Sequence, residues 1–420
     1  MVAMVVLGLL LAGAADAGAT GAVGTQDPAA AMALQAGDVT IDNPNGTYVL
    51  GSEVTVNGTA SSSADAVALY ARTSGDWDLV DIDESGALDE DDLVEVDENG
   101  TWERREVLLS NATSDFKIPG HALLGALPAD DARNEAGDLQ VTFTRSAFVE
   151  ADGAQARLDV VRPTLAEQTV FRAIDGEVAV PDGEVTVAGT ATGVNRVLVV
   201  LVDQRGQVAT DTLPVSDDKF EADVDLESHD GGQFFQGTVV GVVIHAGPDR
   251  LVGDGVLAEG GRPDLPGLEA YFRDAVEAMG ATRSQDQVLD VLFAESIAES
   301  GSDDIATEES FRFADARTTI VDVVPAVDRD ASGVNPVGVG ETMVVRGVTN
   351  RKPGDNTIFV EVTGGPTPEA FDLMSVDQWD TDGAWTVRFD TTDATPGTYF
   401  VEADDGVAGD SATVEIITER

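Results

Sequence analysis

One short segment occurs three times and limits what the chain can fold into. It reads Glu53-Val54-Thr55-Val56-Asn57-Gly58-Thr59, then Glu184-Val185-Thr186-Val187-Ala188-Gly189-Thr190, then Thr342-Met343-Val344-Val345-Arg346-Gly347-Val348. In every copy apolar residues stand two and four places before a glycine. Alternation with period two marks a strand with one buried face. The glycine is expected to end or bend that strand. The copies lie more than a hundred residues apart. That spacing fits repeated domains and excludes solenoids and propellers, whose periods run about 20–50 residues.

A chain of 420 residues with this repeat predicts two or three domains. Hydrophobic content of 43% makes it a folding sequence, not a disordered acidic tail. The net charge is −53, from 77 acidic and 24 basic residues. Only three of the basic residues are lysines (Lys117, Lys219, Lys352), so 21 are arginines. Such a surface suits near-saturated salt, where a Debye length of about 3 Å lets carboxylates repel weakly while they hold water. Nucleic acid is a poor partner for it. With no cysteine there is no disulfide framework, zinc-thiolate site or thiol nucleophile.

Residues 1–36 read as a secretory leader and linker. An apolar run to Ala15 precedes small residues at Ala-x-Ala spacing, although no basic residue opens it. The first domain is expected over 37–163. It holds a strand over Ala66–Ala71 and an Asn99-Gly100 turn before Trp102. The second domain is expected over 164–316. Its Val197–Val202 strand is apolar throughout, as for a strand buried on both faces, and Asp218-Lys219-Phe220 stands where Gly100-Thr101-Trp102 stands in the first domain. A helical hairpin is expected over 265–300. Leu268, Phe272, Val276 and Met279 line one helix ended by Gly280; Ser284 caps another carrying Val288, Leu289, Leu292, Phe293 and Ile297. The third domain is expected over 317–420, and its Tyr399, after Pro396-Gly397, resembles a tyrosine corner. The fold class that follows is mostly β: tandem Ig-like β-sandwich domains with a helical hairpin insert before the last domain.

Two kinds of site stand out in the first domain. The run Asp81 to Asp92 fits a twelve-residue calcium loop. Oxygen ligands come from Asp81, Asp83, Ser85, Asp89 and Asp92, and from the Ala87 carbonyl. Gly86 makes the sharp turn, and Leu88 is expected to pack inward. Its flanks read as strands, not as the helices of an EF-hand, and an aspartate replaces glutamate at the last position. The start of a similar loop at Asp328–Gly333 is broken by Asn335 and Pro336 and reads as a turn. Four sequons, at Asn45, Asn57, Asn99 and Asn111, are candidate glycan acceptors. Alternation places Thr55 and Asn57 on the solvent face of the repeat strand. Catalytic signals are missing: His121, His229 and His245 fall in no metalloprotease motif, and no nucleophile elbow or phosphate loop occurs. The four tryptophans are expected in cores. No enzymatic activity is expected.

Three runs carry a family resemblance: 328–362 around the third repeat strand, 381–406 containing Trp385 and Tyr399, and 311–320 before them. They resemble the surface glycoprotein of haloarchaeal S-layers, and the first run resembles its BGTF-type surface domain. The resemblance implies an extracellular, N-glycosylated, calcium-dependent protein that self-associates into a two-dimensional lattice at the cell surface. Family members usually end in a threonine-rich stalk and a membrane anchor. This chain stops at Thr418-Glu419-Arg420 with neither. A secreted soluble binding module or adhesin of the same fold is the alternative.

Overall fold

The computed structural model describes residues 39–165, 170–228, 231–257, 260–328 and 331–418. The expected leader, His229 and Arg329-Asp330 of the third-domain turn lie outside the described residues.

The protein is mostly β, and one strand plan is used three times. In the first unit the repeat strand Glu53–Thr59 pairs with Thr101–Leu108. Together they cover a mixed sheet built on Ala66–Arg72, Gly120–Pro128 and Ala154–Val161. The second unit packs a three-stranded sheet holding Glu184–Thr190 against a five-stranded one. The third repeats this, with Thr342–Thr349 central in its three-stranded sheet. In each unit a short strand runs parallel to the last strand: Gly46–Val49 beside Ala154–Val161, Glu177–Ala179 beside Ile305–Ala314, and Val337–Gly338 beside Gly409–Ile417. Each sandwich is Ig-like, its core formed by the alternate residues that both sheets turn inward.

The repeat glycine does not itself end its strand, contrary to one half of the sequence expectation. Pairing runs through it to Thr59, Thr190 and Thr349. Across the ladder Gly58 faces Trp102, Gly189 faces Phe220 and Gly347 faces Trp385. A Cβ on Gly347 would sit 2.0 Å from Cζ2 of Trp385 and 2.1 Å from the Thr319 carbonyl; on Gly58 it would sit 2.8 Å from Cζ2 of Trp102. The glycine therefore makes room for an aromatic ring laid over its own backbone. All four tryptophans are buried.

Val197, Val199 and Leu201 face the inter-sheet core, whereas Leu198, Val200 and Val202 face a helix pair, Leu265–Met279 and Gln285–Ala294. The Asp264 carboxylate accepts the Gly267 N–H at 2.8 Å, and Ser284 with Gln287 forms a capping box. The second helix is shorter than its sequence suggests. It stops at Ala294, the Ser296 hydroxyl donates back to the Leu292 carbonyl at 2.7 Å, and Ile297 is left 40% exposed. In the first unit a short helix, Arg145–Glu150, covers the corresponding sheet face, and its Phe148 stacks on Trp77. The Tyr399 hydroxyl donates to the Thr395 carbonyl at 2.7 Å, the local bond of a tyrosine corner.

Successive units are joined by cations reaching back. Arg250 donates from Nε and Nη2 to the Gly51 carbonyl at 3.0 and 2.8 Å and pairs with Glu53. Gly51 and Gly193 bring the two backbones together; a Cβ on either would lie within 2.4 Å of a carbonyl oxygen across the joint. At the second joint Arg351 donates to Asp182 and Asp405, both at 3.0 Å, and to Asn356. Lys352 pairs with Glu184 and Asp223, and Arg317 with Asp175 and Glu177.

Candidate metal centre and glycan acceptors

The acidic loop opens after the strand Trp77–Leu79 and closes in a single 3-10 turn, Glu90–Asp92, that leads into the strand Leu93–Glu95. Strands therefore flank it, and Asp81 hangs from the Ala112 carbonyl by its N–H at 3.0 Å. Gly86 takes φ +78°, the left-handed conformation that glycine tolerates and that the sharp turn needs.

Asp81, Asp83 and Asp92 converge, each offering a carboxylate oxygen within 4.8 Å of the others. The Asp81 carboxylate accepts the N–H groups of Ser85 and Gly86, at 3.1 and 2.8 Å. Asp83 accepts the Ser85 N–H at 2.9 Å. That bond, the largest cause, holds its carboxyl below the ordinary aspartate value. Asp92 is fully buried and accepts the N–H groups of Ile82 and Asp89, at 2.9 and 3.0 Å. Burial pushes its carboxyl up despite those bonds, with the charges of Asp81 and Asp83 adding to the rise. Three carboxylates at this range repel one another, and a hard cation with oxygen ligands relieves all three.

The remaining loop residues fall differently. The Ala87 carbonyl accepts the Ser85 hydroxyl at 3.2 Å, tying the two to each other. Asp89 turns away to cap the 3-10 turn, accepting the Asp91 N–H at 3.0 Å. Leu88 does not pack inward. It is 43% exposed, and Ile82, 4% exposed, fills the core instead. Ile82 packs with Val80 in the core between the sheets, whereas Leu88 sits beyond the Gly86 turn.

Asn45, Asn99 and Asn111 are exposed. The side-chain oxygen of Asn99 accepts both the N–H and the hydroxyl of Thr101, at 3.1 and 2.7 Å, while Asn45 donates to the Asp42 carbonyl at 2.7 Å. Asn57 and Thr55 are half-buried, not open to solvent as alternation predicts. The ladder slips a register between Val54 and Val56, and the segment 39–45 lies along the strand, with Asn43 donating to the Asn57 side chain at 3.2 Å. His121 pairs with Asp159 at 2.6 Å on an open strand face, and His245 is sealed inside, 2.8 Å from the Thr192 carbonyl.

Two features escape sequence reading. The ring-over-glycine pairing carries a signal, an aromatic 31 to 44 residues after each repeat glycine. The Arg250 and Arg351 joints carry none, because an arginine that clamps a neighbour looks like any other arginine.

No protein-family model matches the chain, so kinship rests on similarity along its length. The chain is 32% identical over 392 residues to a cell surface glycoprotein of Halobacterium salinarum, covering 91% of this chain and 42% of the relative. It is 33% identical over 394 residues to the cell surface glycoprotein of Haloarcula marismortui, covering 91% and 41%. It thus spans about four-tenths of the length of these relatives. Among solved structures, a surface layer protein SbsC fragment of domains 1–6 shares 8% identity over 91% of this chain and 54% of its own, at a TM-score of 0.20. A tandem-repeat fragment of a large adhesion protein shares 12% over 90% and 74%, at 0.21. Similarity at these scores adds nothing to the fold read from the strands. The relatives' names place the chain at the extracellular cell surface. Over nine-tenths of its length this chain is a homologue of the haloarchaeal cell surface glycoproteins.

Proposed function

We propose that the chain is a structural component of a haloarchaeal S-layer and that Ca²⁺ held by the 81–92 loop assists its lateral assembly. The observation that carries this reading is the convergence of Asp81, Asp83 and Asp92 in a loop tied to a sandwich core. Those three carboxylates, with the Ser85 hydroxyl and the Ala87 carbonyl beside them, are the donors that would hold the ion. A bound cation cancels the repulsion among them. The loop then presents one surface to a neighbouring subunit and loses less entropy on association. The exposed sequons at Asn45, Asn99 and Asn111 are proposed as glycan acceptors, ahead of the half-buried Asn57.

Sedimentation of the full chain in constant molar salt, with and without a divalent chelator, tests assembly. Chelation is expected to release assembled protein, and Asp81→Asn with Asp83→Asn to weaken Ca²⁺ binding and association together while the sandwiches stay folded. Equal assembly of wild type and variant with and without chelator overturns the calcium role. Recovery of all the protein from the medium, with none on cell envelopes, overturns the structural role in favour of a soluble binding module. Peptide mass spectrometry of native material is expected to find glycan on Asn99; four bare sequons would return them to turn residues.

A further inference from the structure

Among the described residues two arginines are nearly buried, Arg351 at 5% exposure and Arg72 at 9%. Arg351 is bonded to Asp182, Asp405 and Asn356. The Arg72 side chain has no hydrogen bond or ion pair with any described residue, and its Nε is sealed from solvent without a partner. In a chain where acids outnumber bases 77 to 24, a buried guanidinium without a carboxylate is the least expected pairing outcome. A guanidinium carries five N–H donors and cannot shed its charge, so sealing its Nε–H without a partner carries a cost.

The surroundings are built, not loose. Arg72 ends the strand Ala66–Arg72, and its guanidinium carbon lies 5.0 Å from the centroid of the Trp77 ring, which Phe148 stacks from 4.2 Å. Trp77 is paired with Phe143 across the sheet, and two residues on, Arg145 opens the short covering helix. Arg145 is exposed and likewise makes no ion pair among the described residues. Asp115 is the acid whose field reaches Arg72, but it accepts the Thr73 hydroxyl and makes no ion pair with the guanidinium. Burial, then the charge of Arg145, hold Arg72 below its ordinary pKa, with Asp115 opposing.

We infer that Arg72 and Arg145, over the Trp77 face, form a binding site for an oxyanion of the carboxylate or sulfate type. The Nη groups of Arg72 are unbonded and, unlike Nε, are not sealed, so the anion approaches end-on to the planar fork, the geometry that carboxylates and sulfates match with two parallel N–H bonds. Trp77 holds the guanidinium by a cation–π contact, 5.0 Å from its ring centroid. Neither the calcium loop nor the sequons take part, so the inference stands apart from the proposed function.

The test is calorimetric titration of the full chain in constant molar sodium chloride with sodium acetate, sodium sulfate and methyl glucuronide. Wild type is expected to bind saturably. Arg72→Gln should weaken binding at least tenfold and Arg145→Gln several-fold. Tighter binding of the glucuronide places the anion on a sugar, and equal binding makes it a free ion. If Arg72→Gln does not fold, Arg72→Lys keeps the charge and loses the fork, and the surface variant Arg145→Gln decides independently. No saturable heat with any of the three anions, or equal affinities in wild type, Arg72→Lys and Arg145→Gln, overturns the site and leaves Arg72 as a packing residue over Trp77.

Discussion

Single carboxylates show how burial departs from what the sequence suggests. In an acidic chain every aspartate looks solvated, yet burial pushes Asp304 up to about 7, with Asp303 adding to the rise and the Gly253 N–H opposing it. One of its oxygens accepts that N–H at 2.9 Å; the other is buried without a partner. An aspartate whose folded value is raised binds its proton more tightly folded than unfolded. Its contribution to stability is therefore complete below the unfolded value near 3.8 and is lost as pH rises through about 7. Lowering the pH from 8 to 5 should raise the melting temperature of wild type more than that of Asp304→Asn, measured by calorimetry in constant molar salt. Identical pH dependence in the two would remove Asp304 as the source. The proposed calcium loop follows the same linkage from the other side. Asp92, one of its proposed ligands, would have to be ionised to hold a cation, so Ca²⁺ affinity should fall on acidification starting above the ordinary aspartate range. That Asp81, Asp83 and Asp92 come together in that loop was legible in the sequence because spacing is local. The roles of Leu88, Asp89 and Ile82 were not, because they depend on which side of the turn faces the core.

Strands were the most legible elements, since a period of two and its flanking turns are written in a few adjacent residues. Their pairing was less so: the use of the repeat glycine lies in a partner 31 to 44 residues away. Gly347→Ala should be destabilising by about 3 kcal/mol, because the added methyl meets both an indole and a carbonyl that cannot yield together. Pairing the change with Trp385→Leu should recover part of the loss, since the ring is one of the two obstacles. Denaturant titration of the single and double variants reads this directly, and additive losses would show that ring and glycine are independent. The second helix was overextended in sequence because Ile297 continues the apolar spacing. What stops the helix is the turn around Ser296, a tertiary choice that periodicity does not encode.

At the scale of the whole molecule, net charge and joints act together. With −53 charges, loss of screening should expand or unfold the chain as salt falls from molar to millimolar, followed by circular dichroism during dialysis. A fold unchanged without added divalent ions would set aside the halophilic reading. The joints make the response uneven. The first rests on Arg250 and a glycine contact, the second on Arg317, Arg351 and Lys352 facing five carboxylates of the second sandwich. That second joint also sets what can be exchanged by recombination. Asp182 belongs to the second sandwich, whereas Arg351 and Asp405 belong to the third. A third sandwich grafted behind a foreign neighbour takes along a guanidinium that its donor had half neutralised from outside, and it leaves an unpaired carboxylate behind. The smallest portable module at this end of the chain is therefore the pair of sandwiches, and viable crossovers fall before it, near the Gly51–Gly193 contact, instead of between its halves.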